Sequence, residues 1–333
     1  MAETANSISK TTELELLADP ISEPLRSLRV QGSLLLRESY EPPWAVQIPG
    51  SSEIGALLGA RAGRYAAFHW VAAGGIELRV GDDEPIALRA GQLAICFGGV
   101  PHRLSVGSSQ QLVPLSSLLE NGPRIERYGE AGPGATSLIC GVFSLQGLPL
   151  NPLLGALPAV LTTGFDGAGE GLAEVASLLS AELDRGRPGY RFAIDRLLEL
   201  FCAEAVRAYF LRSDAPQTGW VRGVQDPVIG RAIGLMHAHP AAQWDVGGLA
   251  RSVALSPSRF AARFAGAVGQ GPMIYLTRWR MHLACGWLRA SSESLAEIGY
   301  RVGYRSSPAF QRAFKRHVGV SPGAWRRSFS IPS

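Results

Sequence analysis

The chain has few cysteines, the residues that form disulfides and take part in many metal and redox sites. Its 333 residues include four cysteines, Cys96, Cys140, Cys202 and Cys285, which lie far apart and form no CxxC pair. This spacing is typical of reduced thiols in a cytoplasmic protein, not of a disulfide framework. Two lysines accompany 30 arginines, an excess that we attribute to genomic base composition.

The sequence also lacks membrane-spanning and secretory segments and two well-known catalytic motifs. The sequence has no run of 18 uninterrupted apolar residues, so it predicts no membrane span. The first 20 residues hold no apolar stretch of the secretory type, and we expect a cytoplasmic location. The motif HExxH and the P-loop are also absent from the sequence. A hydrophobic content of 46% and a charged content of 18% fit a globular chain long enough for two domains.

Charge is divided unevenly along the chain. All 333 residues carry 32 basic and 28 acidic groups, a net charge of +4. Residues 226–333 hold 14 of the basic and 4 of the acidic groups, a net of +10, which leaves 18 and 24, or −6, for the rest. A basic terminal segment on an acidic body indicates that this segment meets phosphate. The alternative is a solvated basic surface on a helical bundle, and charge alone does not decide between the two.

The same motif occurs twice in the last hundred residues, about fifty positions apart. Five pairs match, namely Ser256 with Ser306, Phe260 with Phe310, Phe264 with Phe314, Gly269 with Gly319 and Pro272 with Pro322. The upstream helices align one residue out of step, Val253 with Val302, so one turn is predicted to be a residue longer. A duplicated helix–turn–helix in a basic segment is a device for reading two stretches of DNA major groove.

Each copy predicts a short helix, Val246–Val253 or Leu295–Val302, followed by a tight turn. A second helix is predicted to start at Ser256-Pro257 or Ser307-Pro308, because Ser favours the N-cap and Pro is tolerated at the first helical position. Phenylalanines four residues apart share the buried face of this second helix, so the opposite face is free to meet DNA.

Each second helix is followed by a glycine, Gly269 or Gly319, which is predicted to cap its C-terminus. Met273–Leu288 is predicted to be a long helix that joins the two units.

These residues, from about Asp226 to Phe329, resemble the AraC/XylS family of bacterial transcription regulators. The resemblance is carried by the patterns from Ser256 to Arg280 and from Ile298 to Arg326. It implies seven helices, with two recognition helices and a connecting helix. The family often has Arg where this chain has Ala262, whereas Arg312 fits the pattern in the second copy. The predicted DNA-binding residues are Ser256, Ser258, Arg259, Ala262, Arg263, Ser307, Pro308, Gln311, Arg312 and Lys315.

The first half of the chain predicts β structure. Short apolar or alternating runs, separated by Gly, Pro and Asp, indicate a small barrel or sandwich. The predicted strands are Leu28–Arg37, Ala45–Ile48, Arg64–Ala72, Ile76–Val80, Pro85–Leu88, Gln92–Phe97 and Ser137–Leu145. The Ser-, Gly- and Pro-rich stretch from Ser105 to Gly134 predicts a loop.

Gly91–His102 resembles the second cupin motif, and Phe68-His69-Trp70 falls where the first cupin motif begins. The resemblance implies a cupin-type sensor domain. Metal-binding cupins supply a second His two residues after the first and a Glu further along, but Val71 occupies the former position and Glu77 is out of register. A cupin metal site of the usual kind is therefore not expected.

A different set of ligands remains in this half: His69, His102, Cys140 and Cys96. Imidazole and thiolate together suit zinc, for which His69, His102 and Cys140 are the candidate set, and a neighbouring imidazolium can lower the pKa of a thiol. Two alternatives stay open. An organic effector could bind in the barrel beside Phe68, Trp70 and Phe97, or His102 and Cys140 could be ordinary turn and core residues.

Gly171–Leu183 and Tyr190–Leu211 predict two amphipathic helices, which could form a dimer interface or pack on their own barrel. The expected domains are an N-terminal segment (1–24), a cupin-like barrel (25–165), a helical dimerisation segment (166–212), a linker (213–225) and a DNA-binding domain (226–333) with helix–turn–helix motifs at 246–267 and 295–317.

The sequence thus predicts an α+β multidomain protein that is not an enzyme. It is expected to be a sequence-specific DNA-binding regulator whose sensor domain responds to a small molecule, a metal or a redox signal. The expected partners are double-stranded DNA, a second copy of the chain, an effector and, if the protein activates transcription, RNA polymerase, but no membrane. The alternative is a cupin metalloenzyme with an appended DNA tether.

Overall fold

A computed structural model of the protein describes residues 19–59, 64–108, 111–125, 132, 134–146, 149–164, 169–211 and 219–329. Their contacts divide the chain into two compact units. The sheet unit comprises Arg29–Gln146 and Leu157–Ser213. The helical unit comprises Asp214–Ser333 together with two segments distant in sequence, Met1–Leu28 and Gly147–Ala156. The predicted sequence boundaries do not anticipate these two segments, because nothing local marks them.

Ten strands lie in the described part of the sheet unit, and most of them coincide with the predicted apolar runs. They are β1 (Arg29–Tyr40), β2 (Trp44–Ile48), β3 (Arg64–Ala73), β4 (Gly75–Val80), β5 (Ile86–Arg89), β6 (Gln92–Cys96), β7 (His102–Val106), β8 (Val113–Pro114), β9 (Thr136–Gln146) and β10 (Leu161–Gly164). The stretch predicted as a loop contains the end of β7, strand β8 and a short helix, so that prediction is wrong there.

The strands form two five-stranded sheets, ordered β1-β9-β3-β6-β10 and β5-β4-β7-β2-β8. No ladder of backbone hydrogen bonds joins the two sheets among the described residues, so the expected closed barrel is not confirmed. The core of the unit lies between the sheets. It includes Leu36, Ala67 and Val142 from the first sheet and Leu78 and Leu104 from the second.

Fourteen helices are described along the chain. They are α1 (Ser22–Ser27), α2 (Ser51–Leu57), α3 (Leu115–Leu118), α4 (Pro152–Ala156), α5 (Glu170–Arg185), α6 (Tyr190–Leu211), α7 (Trp220–Gln225), α8 (Pro227–Ala238), α9 (Val246–Ser252), α10 (Pro257–Val268), α11 (Pro272–Ala290), α12 (Leu295–Arg301), α13 (Ser307–Val318) and α14 (Pro322–Arg327). The seven from α8 onward match the number that the family resemblance implied. None of the described helices has the length and apolar character needed to cross a lipid bilayer.

Helices α5 and α6 confirm the two amphipathic helices, and α6 packs on strand β1. A Cβ at Gly32 would lie 2.4 Å from the Cβ of Leu198, so the glycine allows this close approach. Alternation along β3 sends Phe68 and Trp70 to the same side, where both rings meet Phe201 of α6. They therefore do not line the space between the sheets, as an effector site there would require.

Candidate nucleic-acid interface and metal centre

Helix α13, the second recognition helix, is divided into a core face and a polar face. Phe310 and Phe314 are fully buried, with ring centroids 5.8 Å apart. Arg312 lies about 200° from Phe310 around the helix axis and points away from the core. Pro308, Gln311, Arg312 and Lys315 are exposed, and Ser307 is half-buried. The predicted contact residues therefore share a surface that is open to a ligand.

Arg312 and Lys315 make no ion pair within the part of the chain that the structure describes. Glu297 is not their partner, because its carboxylate accepts from the backbone N–H of Ser294 in a capping box at the start of α12. Both cations are therefore available for an external anion.

Helix α10, the first recognition helix, has the same division but a less polar outer face. Phe260 and Phe264 are fully buried. Ser256, Ser258, Arg259 and Ala262 are exposed. Two serines, one arginine and one alanine can make fewer hydrogen bonds to base edges than Gln311, Arg312 and Lys315.

Arg263, predicted to bind DNA, is exposed but forms an ion pair with Asp226 of the same unit. Its Nε lies 2.9 Å from Asp226 Oδ2 and its Nη2 lies 3.0 Å from Oδ1, a bidentate pair. Although burial acts to raise the pKa of Asp226, the hydrogen bonds from Arg263 and from the backbone N–H groups of α8 lower it overall. Asp226 is also the N-cap of α8, so Arg263 ties the first recognition helix to α8.

The start of α13 differs from the prediction by one residue. Ser306 is its N-cap, and the Ser306 hydroxyl accepts from the backbone N–H of Ala309 at 3.4 Å. Ser307 is therefore the first helical residue and not the cap. Ser256 is the N-cap of α10, as predicted, although its side chain makes no capping hydrogen bond there. Gly269 and Gly319 cap the two helix ends in the left-handed conformation, which confirms that prediction.

Two exposed arginines near α13, Arg305 and Arg316, were not among the predicted contact residues. Arg305 lies in the turn before the helix, and Arg316 is one turn after Arg312. Neither makes an ion pair among the described residues. Arg316 could have been predicted from the sequence, because it lies four residues after Arg312 and so on the same face of the helix.

A second group of chemically active side chains lies between the sheets of the sheet unit. His69 on β3 faces Cys140 on β9 as a cross-strand pair, Cys96 ends β6, and His102 begins β7 in the opposite sheet. All four side chains are buried. Sheet pairing therefore brings together the four residues that the sequence nominated.

Hydrogen bonds fix the tautomers in this group. His102 Nδ1 lies 2.9 Å from the carbonyl oxygen of Val100, which can only accept, so Nδ1 carries the proton and Nε2 presents a lone pair. The Nε2 atoms of His69 and His102 are 2.7 Å apart, so His69 Nε2–H donates to His102. His69 Nδ1 then accepts from the Cys140 thiol, 3.2 Å away.

This arrangement requires two neutral imidazoles and a protonated thiol. Burial lowers the pKa of His69, and the neighbouring His102 lowers it further. Burial also lowers the pKa of His102. It raises the pKa of the Cys96 thiol to about 12, and the pKa of Cys140 rises in the same direction. The expected thiol activated by an imidazolium is not supported, because burial favours the neutral ring of both histidines and the protonated thiol of both cysteines.

His69, Cys96 and His102 form a cluster that could hold a metal ion. Zinc bond lengths place two tetrahedral nitrogen ligands about 3.3 Å apart and a nitrogen–sulfur pair about 3.6 Å apart. Cys96 Sγ already lies 3.7 Å from His102 Nε2, and the two rings would separate by about 0.6 Å. Cys140 contacts the other nitrogen of His69, so the zinc set that the sequence predicted, His69, His102 and Cys140, is corrected to one with Cys96.

The gap between the sheets is small. It is lined by His69, Cys140 and apolar residues such as Leu36 and Leu104, and has a volume of about 20 Å³. A space of that size holds about one water molecule. Among the described residues, the space between the sheets is therefore too small for the organic effector that was the alternative to a metal.

Two families match different parts of the chain. The cupin family matches residues 19–211, and a helix-turn-helix domain matches residues 249–328. A protein of Streptomyces lividans named as an AraC-like transcription regulator is 31% identical over 317 residues, which cover 94% of this chain and 100% of that protein. The chain belongs to the family of AraC-like transcription regulators.

Other members of the family align over shorter stretches. The HTH-type transcriptional regulator AlkR of Acinetobacter baylyi is 33% identical over 184 residues, which cover 53% of this chain and 58% of that protein. Among solved structures, the DNA-binding domain of AdpA in complex with a target DNA is 32% identical and covers 31% of this chain and 93% of that chain, with a TM-score of 0.30.

Membership in this family gives the two sites different roles. The protein is a DNA-binding transcription regulator, and the outer faces of α10 and α13 belong to its helix–turn–helix domain. The histidine–cysteine cluster belongs to its cupin domain. The relatives carry the names of regulators, which agrees with a protein that is not an enzyme.

Proposed function

We propose that both recognition helices bind duplex DNA, in two adjacent major-groove segments about 10 bp apart. What supports this most is that the exposed cations Arg312 and Lys315 stand on the outer face of α13 without an internal partner among the described residues. Gln311 and Arg312 can form bidentate contacts with adenine and guanine edges. Arg305 and Arg316 are placed to contact phosphates on either side of them.

The first helix makes a weaker contribution in this proposal. The DNA phosphate backbone is contacted by Ser256, Ser258 and Arg259. Ala262 makes an apolar contact with a base, for example with a thymine methyl group. Arg263 positions the helix through Asp226 and does not read DNA.

Footprinting of the full chain on sites recovered from a genome-wide binding map tests this proposal. We expect two protected major-groove segments on one face of the duplex and an affinity that falls steeply as salt rises, because phosphate contacts release counterions. Protection of a single groove segment, or binding that does not depend on salt, would show that the proposal is wrong.

We further propose that the cupin domain senses a metal ion, with zinc as the best match, through His69, Cys96 and His102. A His₂Cys set is one that zinc accepts, and the Val100 carbonyl orients His102 as second-shell acceptors do for ligating histidines. With zinc on Nε2, His69 would carry its proton on Nδ1 and donate it to the Cys140 sulfur, which would then be the corresponding acceptor. The cluster is fully buried, which favours a sensor over the metalloenzyme alternative, because a substrate would have no route to the ion.

Metal analysis of the purified full chain tests the sensor site. We expect about one zinc per chain in the wild type and almost none in Cys96→Ser or His102→Ala. Cys140→Ala should retain zinc but bind it about 10–100-fold more weakly. Cys202→Ala is the control, since Cys202 is a buried cysteine on α6. Equal zinc in Cys96→Ser and wild type would contradict the assignment.

The remaining proposals concern assembly. Leu178, Phe192 and Leu211 are 57%, 72% and 65% exposed on α5 and α6, which supports a homodimer formed through the segment 166–212. Sedimentation of the full chain would test this.

The predicted domain boundary at residue 226 also stays a proposal. The described part of the predicted linker (213–225) holds helix α7 (Trp220–Gln225), and linker residues 213–218 lie outside the described residues. If the regulator activates transcription, RNA polymerase is a further partner.

A further inference from the structure

The helical unit contains a cavity that neither proposed site uses. It has a volume of about 420 Å³, within the usual range for small-molecule sites. One wall is the segment from Leu150 to Ala156, which the chain contributes between β9 and β10. The other wall comes from α7, the C-terminal end of α10 and the first half of α11.

Aromatic and cationic groups line this second wall. Trp220, Tyr275 and Trp279 line it, and each side chain is largely buried. Trp220 Nε1 donates to the Tyr275 hydroxyl at 2.8 Å, which holds both rings in place. Arg278 is exposed at the cavity and has no ion pair among the described residues. An unpaired guanidinium beside aromatic surface matches a planar ligand that carries a carboxylate.

The opposite wall is built as a fixed surface. Asn151 Nδ2 donates to the Pro24 carbonyl oxygen and to Ser27 Oγ, each at 3.0 Å, and Asn151 Oδ1 accepts from the backbone N–H of Leu153. These bonds hold Leu150 in a left-handed conformation with φ of 65°, which is unfavourable for leucine. Strained residues of this kind cluster at ligand sites, where the surrounding structure holds them.

We propose that this cavity binds a small aromatic carboxylate, with the ring between Trp220 and Trp279 and the carboxylate on Arg278. Val268, the last residue of α10, also lines the cavity, so the ligand contacts the end of the first recognition helix. Occupancy would then change how α10 meets DNA. That consequence rests on the proposed DNA contacts, whereas binding of the carboxylate does not.

Binding of indole-3-acetate and phenylacetate to the full chain, without DNA, tests the site. Quenching of tryptophan fluorescence measures affinity, and the neutral amides of the same two acids test the need for charge. We expect saturable binding of at least one acid and weaker binding of its amide. Arg278→Gln should weaken binding of the acid about tenfold or more and remove the preference over the amide. Arg231→Gln, which removes an exposed arginine of α8 outside the cavity, is the matched control.

A second variant fills the cavity. A Cβ at Gly155 would meet no atom within 4 Å, so a larger side chain can enter the space without displacing the wall. Gly155→Phe should abolish binding, and Gly155→Ala should preserve it. If neither acid binds, or if Arg278→Gln and Gly155→Phe both bind like the wild type, the proposal is wrong. A gel shift on operator DNA, with and without the acid, separately tests the effect on α10.

Discussion

At the scale of single residues, Ala254 and Gly303 show how one backbone conformation is obtained in two ways. They occupy matching places in the two helix–turn–helix turns, with φ of 56° and 84°. The next residue donates its backbone N–H to a carbonyl five residues back in both copies, Leu255 to Ala250 and Tyr304 to Gly299, each at 2.9 Å. The left-handed conformation costs a non-glycine residue about 1–2 kcal/mol, so the first turn is strained and the second is not.

This difference predicts opposite effects of exchanging the two residue types. Ala254→Gly should raise the free energy of unfolding by about 0.5 kcal/mol, because the relief of strain exceeds the added entropy of the unfolded chain. Gly303→Ala should lower it by at least about 1 kcal/mol. The new Cβ would also lie 2.8 Å from Arg280 Nη2 and 2.9 Å from the Ala241 carbonyl oxygen.

Urea unfolding of the helical unit, followed by tryptophan fluorescence in the full chain, provides the measurement. Gly266→Ala is the control for loss of a glycine, since its Cβ enters open space within α10 and should raise stability by about 0.5–1 kcal/mol. A Gly303→Ala protein as stable as the wild type would show that the turn is not constrained in this way.

The metal cluster marks the limit of prediction for single residues. His69, His102, Cys140 and Cys96 can be nominated from the cupin resemblance and from their chemistry. Which thiol joins the two imidazoles depends on the pairing of β3 with β6 and β9 and on the approach of β7 from the second sheet. Those contacts join residues far apart in sequence, so the nomination of Cys140 as a ligand could not be checked without the structure.

At the scale of elements, local signals predict helices well and short strands poorly. The bounds of α10 and α13 follow within about one residue from Ser-Pro starts, phenylalanines four apart and a terminal glycine. Strand β7 (His102–Val106) was not predicted, because it is short and directly follows Pro101. His102 was therefore assigned to a turn. Strand β10 was missed because LTTG has no clear alternation, and antiparallel pairing with β6 stabilises it.

We expect Arg312 on α13 to contribute to DNA binding and Arg263 on α10 to contribute to stability. Arg312→Ala should cost about 1–3 kcal/mol of operator binding and leave the thermal stability unchanged, because Arg312 has no ion pair among the described residues. Arg263→Ala should lower stability by up to about 1 kcal/mol through loss of its partly exposed pair with Asp226.

Fluorescence anisotropy on operator DNA and a melting curve for each variant separate the two roles. Asp226→Asn serves as the partner variant, since it should reproduce the stability loss of Arg263→Ala. Operator affinity that is unchanged in Arg312→Ala, or lost in Arg263→Ala with unchanged melting, would reverse the assignment.

At the scale of the whole molecule, two chain segments join the helical unit across large sequence distances. His282 of α11 contacts the Pro149 carbonyl oxygen at 3.1 Å and Ser27 Oγ at 2.9 Å. The segments 19–28 and 149–156 have no periodicity or charge that points to α11, so no sequence argument could place them there. The segment 149–156 adds a wall to the cavity, and both segments contact α11 through His282.

Buried histidines in this region make the stability of the helical unit sensitive to pH. His237 accepts from the Tyr275 hydroxyl at 2.7 Å, since that hydroxyl already accepts from Trp220. Burial and, to a smaller extent, the nearby His282 lower the pKa of His237 to about 3, against the opposing effects of the Pro20 backbone and Asp19. Burial lowers the pKa of His282 to about 4, against the effect of the Pro149 carbonyl.

Both histidines therefore stay neutral in the folded protein while the unfolded chain takes up protons below a pH of about 6.5. A depressed pKa contributes stability above the unfolded value, and this is lost as the pH falls toward the folded value. Between pH 7 and pH 5, we expect the free energy of unfolding to fall by at most about 2 kcal/mol for each histidine. His237→Gln with His282→Gln should flatten this dependence, whereas His239→Gln, at an exposed position, should keep it. Urea unfolding at a series of pH values measures the slope, and a double variant with the wild-type slope would show that other groups carry the dependence.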